Sequence, residues 1–530
     1  MRASFSKYRI GTKLKYKELT IKVLLVGLAV AFVTAGIASR IKTSNLDTAN
    51  FLSFMDRTVL FTPMVSDYAT HHNGVFELVG ASPSNVCSVI DNANKYSRNF
   101  FPIHAYLIPT LMSLSGWIIP LPTNWIAGIW IAVSLVGGLL SLMIFLTKNK
   151  IPAIASIVFL GTILLYPVLS NAFVGQIYVD LLIFGPACAS TLLVWWMKHR
   201  SLAVWPWTLL LLICLTSVSE RGAFLAGVIG IVYSVIVFGP SLFKIREARF
   251  VFSVGLLAWC WMLIWTRFIQ SNIAYQQLSF AGAVARFESL LEQPTRTQFF
   301  IFLTTSLVLL ALSMISGRSF LITALALSPN LLISTGGAEL SGFYTHYHQT
   351  YLALLISTAS IGFIRVNSWI SRSGGNLKRA LSTGLAAIIM ITSLLSWTQL
   401  GRKTTFAQLR FDTRQLILPP ELNRVSTERA EKLDQLTSSL KTLNPEIISG
   451  GESIMPALFL AGFKDVEYWP IGVGVVDVVV SPLIDGLPSV YPFGDVWGNG
   501  DELQKCTMEL LNTEYELVQK FEDYAIYKKI

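Results

Sequence analysis

The chain has 530 residues, 53% of them hydrophobic and only 14% charged, with a mean hydropathy of +0.57. A soluble domain carries about 25% charged residues, so the composition excludes an ordinary water-soluble protein and places much of the chain in hydrocarbon. The net charge of +10 does not describe a nucleic-acid binder: residues 400–530 hold 13 Lys/Arg against 19 Asp/Glu, and the first 399 hold 28 against 12. Cations spread between apolar stretches are what membrane orientation demands, so membrane lipids are expected partners and nucleic acid is not.

The N-terminus, residues 1–20, is basic through Arg2, Lys7, Arg9, Lys13, Lys15 and Lys17. The apolar stretch that follows is too long for a signal-peptide core and lacks a clear cleavage site, so it reads as a retained first helix. Twelve apolar segments follow one another: 21–39, 101–119, 124–146, 151–169, 179–197, 203–217, 222–243, 250–269, 298–316, 319–334, 348–366 and 380–399. A helix crossing a ~30 Å hydrocarbon core needs about 20 apolar residues.

Segment 101–119 is the exception. It contains Pro102, His104 and Pro109 and runs into Pro120 and Pro122. If it crosses, the connectors bearing Lys148 and Lys150, Lys198 and Arg200, Lys244, Arg246 and Arg249, and Arg365 to Arg379 all fall outside. If it lies in the interface, all of them fall inside, and the opposing short connectors hold only Arg221, Arg286 and Arg296. The positive-inside rule selects the second arrangement. The expectation is an α-helical, multi-pass protein of the inner or plasma membrane. Its N-terminus is cytoplasmic, about eleven helices cross within residues 21–400, and an outer loop at 40–123 includes the interfacial helix. Residues 401–530 form a soluble extracytoplasmic α/β domain.

That first outer loop is acidic: Asp47, Asp56, Asp67, Glu77 and Asp91 are five of the twelve acids in the first 399 residues. In the tail, 424–443 suits an amphipathic helix. EIISGG, VEYWP and VDVVVSP suit short strands, DELQKCTMELLNTE suits a helix, and the last sixteen residues suit a hairpin or edge strand. SGGES at 449–453 reads as an anion-binding turn or, more simply, a glycine turn. Of the five cysteines, Cys188, Cys214 and Cys260 lie in apolar segments. Cys87 and Cys506 both fall in segments expected outside, where a disulfide is open, although free thiols are the preferred reading.

No phosphate loop, nucleophile elbow or metal-binding spacing occurs; His71-His72 lacks partners at fixed spacing. No cofactor is called for, and a divalent cation is left open. What remains is position. An acid just past the first crossing is where an enzyme on a lipid-linked substrate keeps a general base, and Asp47 stands there in NLDTANF. It reads equally as a helix N-cap. Glu220-Arg221 falls at an outer helix end and reads as a local ion pair or as a phosphate- or sugar-binding site. His346, Tyr347 and His348 begin a later helix, as phosphate or cation contacts or as interfacial packing. Arg267 near an outer helix end reads as a snorkelling side chain or a holder of lipid phosphate.

Four segments carry a resemblance: NLDTANFLSFMDRTVLF through Asp47, RNFFPIHAYLIPTL through Phe100 and Pro102, SERGAFLAGVIGIVYSVI through Glu220, and FYTHYHQTYLALL through His346 and Tyr347. In these, the chain resembles the bacterial membrane family called domain of unknown function 2079. In layout it resembles the GT-C glycosyltransferases, integral membrane enzymes that take a sugar from a polyprenyl-phosphate donor. The resemblance implies Asp47 as catalytic base. It also implies a substrate site drawn from Gln176, Asp180, Glu220, Arg221, Arg267, His346, Tyr347 and His348, and an extracytoplasmic acceptor. Two departures stand out: Asn99 replaces a histidine before the Phe–x–Pro, and GQIYVD keeps only Gln176 and Asp180 of a histidine-proline-glutamate site. A transporter, a lipid flippase and a noncatalytic envelope-assembly protein are the rival readings. Internal repeats and mid-helix polar sites, which a transporter would show, are not evident.

Overall fold

The computed structural model describes residues 24–38, 87, 107–164, 166, 169, 178–264, 292, 295–332, 350–372, 375, 410–412, 415–418, 420–451, 453–463, 465–470, 472–490 and 500–530. Asp47, Gln176, Arg267, His346, Tyr347, His348 and segment 380–399 lie outside the described residues.

Helix α1 (Leu24–Ala38) is followed by α2 (Leu107–Ile118), which is 12 residues long, about 18 Å at 1.5 Å per residue. That is too short to cross hydrocarbon. Pro120 and Pro122 separate it from α3 (Thr123–Lys148), whose 26 residues end where Asn149 caps the helix and Lys150 turns with φ 61°. Next come α4 (Ala153–Leu164) and α5 (Phe184–His199), the latter entered through a single 3-10 turn at Val179–Ile183. Helix α6 (Trp205–Thr216) starts with Pro206 in its first turn, where a missing N–H costs nothing. Helix α7 (Glu220–Phe243) contains a π-helical turn at Val228–Tyr233. Helices α8 (Arg246–Ile264), α9 (Thr295–Ile315), α10 (Phe320–Leu332) and α11 (Leu352–Arg372) complete the described helices of this part.

Among the described residues, five helical stretches are long and apolar enough to cross a membrane: α3, Val179–His199, α7, α8 and α11. The expected crossings at 151–169 and 203–217 form the shorter helices α4 and α6. Lipid provides no hydrophobic drive between helices, so close backbone approach holds such bundles together. Two positions show it. A Cβ on Gly230 of α7 would lie 2.6 Å from the Cα of Gly255 on α8, and one on Gly185 of α5 would lie 2.5 Å from the carbonyl oxygen of Ser134 on α3.

The described helices have two chemically distinct ends. At one, Arg200 donates to the Asn149 side chain at 3.3 Å, Lys198 to Ser241 at 3.3 Å, and Arg365 to the Ile315 carbonyl at 3.2 Å. At the other, Asn124 donates to the Ala38 carbonyl at 3.0 Å and the Ile108 N–H to the Ser217 carbonyl at 2.9 Å. Cations expected inside therefore share one end, and the turn bearing Glu220 and Arg221 lies at the other.

The C-terminal part is α/β. After strands β1 (Arg410–Asp412) and β2 (Gln415–Leu418), helix α12 (Pro420–Leu443) leads to β3 (Ile448–Gly450), α13 (Met455–Leu460), β4 (Val466–Tyr468), β5 (Val478–Ile484), β6 (Leu487–Pro488), α14 (Gly500–Glu514), β7 (Tyr515–Lys520) and β8 (Tyr524–Lys529). The main sheet runs β4-β3-β5-β8-β7, with β3 parallel to β4 and β5 and the β7–β8 hairpin antiparallel. The first four residues of β5 are all buried, as a strand covered on both faces requires. Its core contains Leu433, Leu436, Leu440, Val478 and Leu503. Phe459 packs both here and against the helical core, so α13 touches the helix bundle.

Free thiols are not what Cys87 and Cys506 are. They form a disulfide with a Cα–Cα distance of 5.6 Å across 419 residues of sequence. The preference for free thiols is corrected because the first loop and helix α14 meet in space. Cys188, Cys214 and Cys260 are free. A bond between these two segments puts them on one side of any membrane, and structural disulfides persist in oxidising compartments.

Candidate active site

Charged groups among apolar helices are costly and seldom retained without a task. Among the described residues of the helical part, the fully buried one is Asp180. The 3-10 turn that carries it is pinned to α3 by Ser134, whose hydroxyl lies 3.1 Å from the Leu181 carbonyl and 3.0 Å from that of Leu182. Gly185 donates its N–H back to the same hydroxyl at 3.0 Å. From Ser134 to the start of α3 at Thr123 is eleven residues, about 16 Å of helix. Asp180 therefore sits well below the end of α3.

Two groups hold its carboxylate. Ser219 donates to Oδ1 at 2.9 Å, and Arg221 Nη1 forms an ion pair with Oδ2. Asp180 is 1% exposed and the Arg221 side chain 25%. The second partner comes from the start of α7, where Ser219 is the N-cap: its side chain accepts the Gly222 N–H at 3.2 Å while its hydroxyl proton goes to Asp180. Glu220, half-buried in the first turn, places a carboxylate where the helix dipole favours it. Asp180, Glu220 and Arg221 together carry one net negative charge, so Arg221 is not a bare cation.

Helix α2 completes the surroundings. Its N-terminal end is tied to the turn before Ser219 through Ile108 and Ser217, and Ser115 accepts the Trp130 indole N–H at 3.0 Å. It thus runs from the Arg221 turn to the start of α3. The chain immediately before it is the Phe100–x–Pro102 segment, outside the described residues.

Of the residues singled out in the sequence, Asp180 and Arg221 are brought into direct contact, with Glu220 adjoining. Asp47, nine residues past the described end of α1, lies outside the described residues, as do Gln176, Arg267, His346, Tyr347 and His348. Thr350, two residues after His348, donates to the Asn330 side chain at 3.1 Å and so ties the start of α11 to the end of α10. Ser219 was not singled out. Its signal was present, since a serine directly before Glu220 is an N-cap pattern, but a second role for its hydroxyl proton depends on a partner 39 residues away. Buried hydroxyl pairs inside the bundle, Tyr166 with Ser306 at 2.7 Å and Ser313 with Thr358 at 2.6 Å, were also missed. Among the described residues no group of three or more His, Cys, Asp or Glu is placed to hold a metal ion.

No family model matches the chain, and no curated protein matches it. Two solved structures of similar shape are crystal structures of ArnT from Cupriavidus metallidurans, one in the apo state and one bound to undecaprenyl phosphate. Each is 11% identical with a TM-score of 0.45; the first match covers 97% of this chain and 98% of that one, the second 96% and 98%. At that level of likeness the chemistry has to come from the residues of this chain.

Proposed function

We propose that the protein is an integral membrane glycosyltransferase of GT-C type, moving a sugar from a polyprenyl-phosphate donor to an extracytoplasmic acceptor. The observation that supports this most is the Asp180–Arg221 pair, an oriented guanidinium recessed among apolar helices at the end away from the cationic connectors. A lipid phosphate entering sideways from the bilayer meets there the N–H donors of a guanidinium whose charge Asp180 balances. A water-soluble substrate would not require it to be set among apolar helices.

In the proposed reaction Asp47 takes the proton of the acceptor hydroxyl. The resulting oxygen attacks the anomeric carbon, the bond from that carbon to the phosphate oxygen breaks, and the sugar is transferred with inversion. The polyprenyl phosphate leaves with its charge met by Arg221 and Arg267. Asp180, itself held by Ser219, anchors the Arg221 guanidinium at one nitrogen, and a guanidinium recognises phosphate through its fork geometry. Glu220, Gln176, His346, Tyr347 and His348 are assigned to the sugar and phosphate surroundings. The outer face, the cell membrane and the extracytoplasmic position of 401–530 belong to the same proposal, supported by the gathering of the cations at the opposite end.

The test is binding. Purified protein in detergent is titrated with undecaprenyl phosphate, and its melting temperature is followed. A rise in the wild type that is lost in Arg221→Met supports the assignment. An equal rise in both removes Arg221 from the phosphate site, and no rise in the wild type sinks the donor class.

A further inference from the structure

At the end of the bundle opposite Asp180, six cations stand close together: Lys148, Lys150, Lys198, Arg200, Lys244 and Arg246, all exposed. Contacts link the elements that bear them. Arg200 bonds Asn149 across α3 and α5, Lys198 bonds Ser241 across α5 and α7, and Trp205 stacks on Phe250 at 5.5 Å across α6 and α8.

Three cations are fixed, and only by neutral groups: Lys198 and Arg200 through the bonds just given, and Arg246, whose guanidinium lies 5.5 Å over the Phe250 ring. The Arg200 guanidinium also lies 5.9 Å over the Trp196 ring, and the Lys198 ammonium lies 5.8 Å over Phe238. Among the described residues none of the six makes an ion pair. None of the six is therefore neutralised by a direct partner, and three of them have already lost part of the side-chain freedom that a ligand would otherwise have to remove. Beside them, Phe243 (67% exposed) and Trp207 (64%) present apolar surface of the kind that sits at a headgroup boundary.

We propose that this end carries a specific site for an anionic phospholipid, its phosphate held by Lys198 and Arg200 and its acyl chains lying against the exposed aromatics. Orientation by charge alone needs cations anywhere in the connectors; it does not need Arg200 anchored on Asn149 or Lys198 anchored on Ser241. The site is independent of the sugar-transfer reading, since it lies at the other end of the helices.

The experiment uses the full chain in nanodiscs of phosphatidylcholine with a minor share of phosphatidylglycerol, and counts retained lipids by native mass spectrometry. The wild type is expected to retain phosphatidylglycerol preferentially. A basic residue near the surface contributes about fivefold to anionic-lipid attraction, so Lys198→Ala with Arg200→Ala is expected to lower that preference by about tenfold or more. Lys148→Ala with Lys150→Ala removes the same charge but only the diffuse share of the attraction, so its loss is expected to be severalfold smaller than that of the first double variant. Asn149→Ala, which alters no charge, is expected to weaken retention by releasing Arg200. Melting temperatures in pure phosphatidylcholine identify any variant that has lost its fold, in which case Asn149→Ala decides. Equal losses in the two double variants, or full retention in Asn149→Ala, reduce the cluster to a diffuse charge ring and overturn the proposal; so does a wild type with no preference.

Discussion

Asp180 and Arg221 form an ion pair across 41 residues of sequence, with the carboxylate 1% and the guanidinium side chain 25% exposed. The two partners are unequally buried, so their removal has unequal consequences. Arg221→Met leaves a carboxylate buried without its cation, a change that typically costs about 3–5 kcal/mol. Asp180→Asn leaves a cation that still reaches solvent and an amide that still bonds Ser219, so its loss of thermal stability is expected to be smaller. The double variant is expected to recover much of the Arg221→Met loss. Additive losses across this cycle would remove the pair from the account of stability.

The bond between Cys87 and Cys506 predicts that native membranes contain two thiols that alkylate only after reduction. Mass spectrometry of digested protein should then find the peptides carrying these two residues joined. Reduction of folded protein should lower its melting temperature, because a crosslink over so long a loop restricts the unfolded chain. Full alkylation of both residues without reductant would exclude the bond.

Topology is open to labelling. Ser438 on α12 is exposed, and Ser438→Cys is expected to react with an impermeant thiol reagent applied from outside. A cysteine at Ser201, next to the cationic end, is expected to react only after the inner side is opened. The reverse pattern would turn the whole assignment of faces over.

Close helix contact makes a sharper test than length. Gly230→Ala would push a methyl to 2.6 Å from Gly255, and overpacking of this kind costs about 1–3 kcal/mol. Gly137→Ala, with nothing within 4 Å of the new methyl, is expected to be neutral or slightly stabilising. Equal melting temperatures for the two variants would show that α7 and α8 do not cross at these glycines.

For Asp47 the two readings of the sequence separate by substitution. A general base replaced by asparagine loses about 10²-fold or more in transfer rate, with folding intact. An N-cap replaced by asparagine loses almost nothing, and by alanine about 1 kcal/mol. An Asp47→Asn variant with undiminished transfer from a polyprenyl-phosphate sugar would leave Asp47 structural.

The membrane class, the apolar helices and the tail strands follow from local pattern, because hydropathy over 20 residues and alternation over six are properties of consecutive side chains. Helix α12 and strands β3, β4 and β5 accordingly fall where amphipathic and alternating runs mark them. Charge spacing likewise separated the connectors bearing Lys148, Lys198 and Arg200 from the turn bearing Arg221. What local pattern does not contain is which distant residues meet. Nothing local to Glu220 and Arg221 says that Arg221 reaches Asp180, which it does because the 3-10 turn pinned by Ser134 delivers a buried carboxylate to the capped start of α7. The two cysteines offered no spacing motif, and only the meeting of the first loop with α14 joins them. Desolvation makes the decision in the first case, since a carboxylate so deeply buried requires its cation wherever the chain can bring one. In the second it is proximity, since a disulfide forms only where folding holds two Cα atoms within about 7 Å.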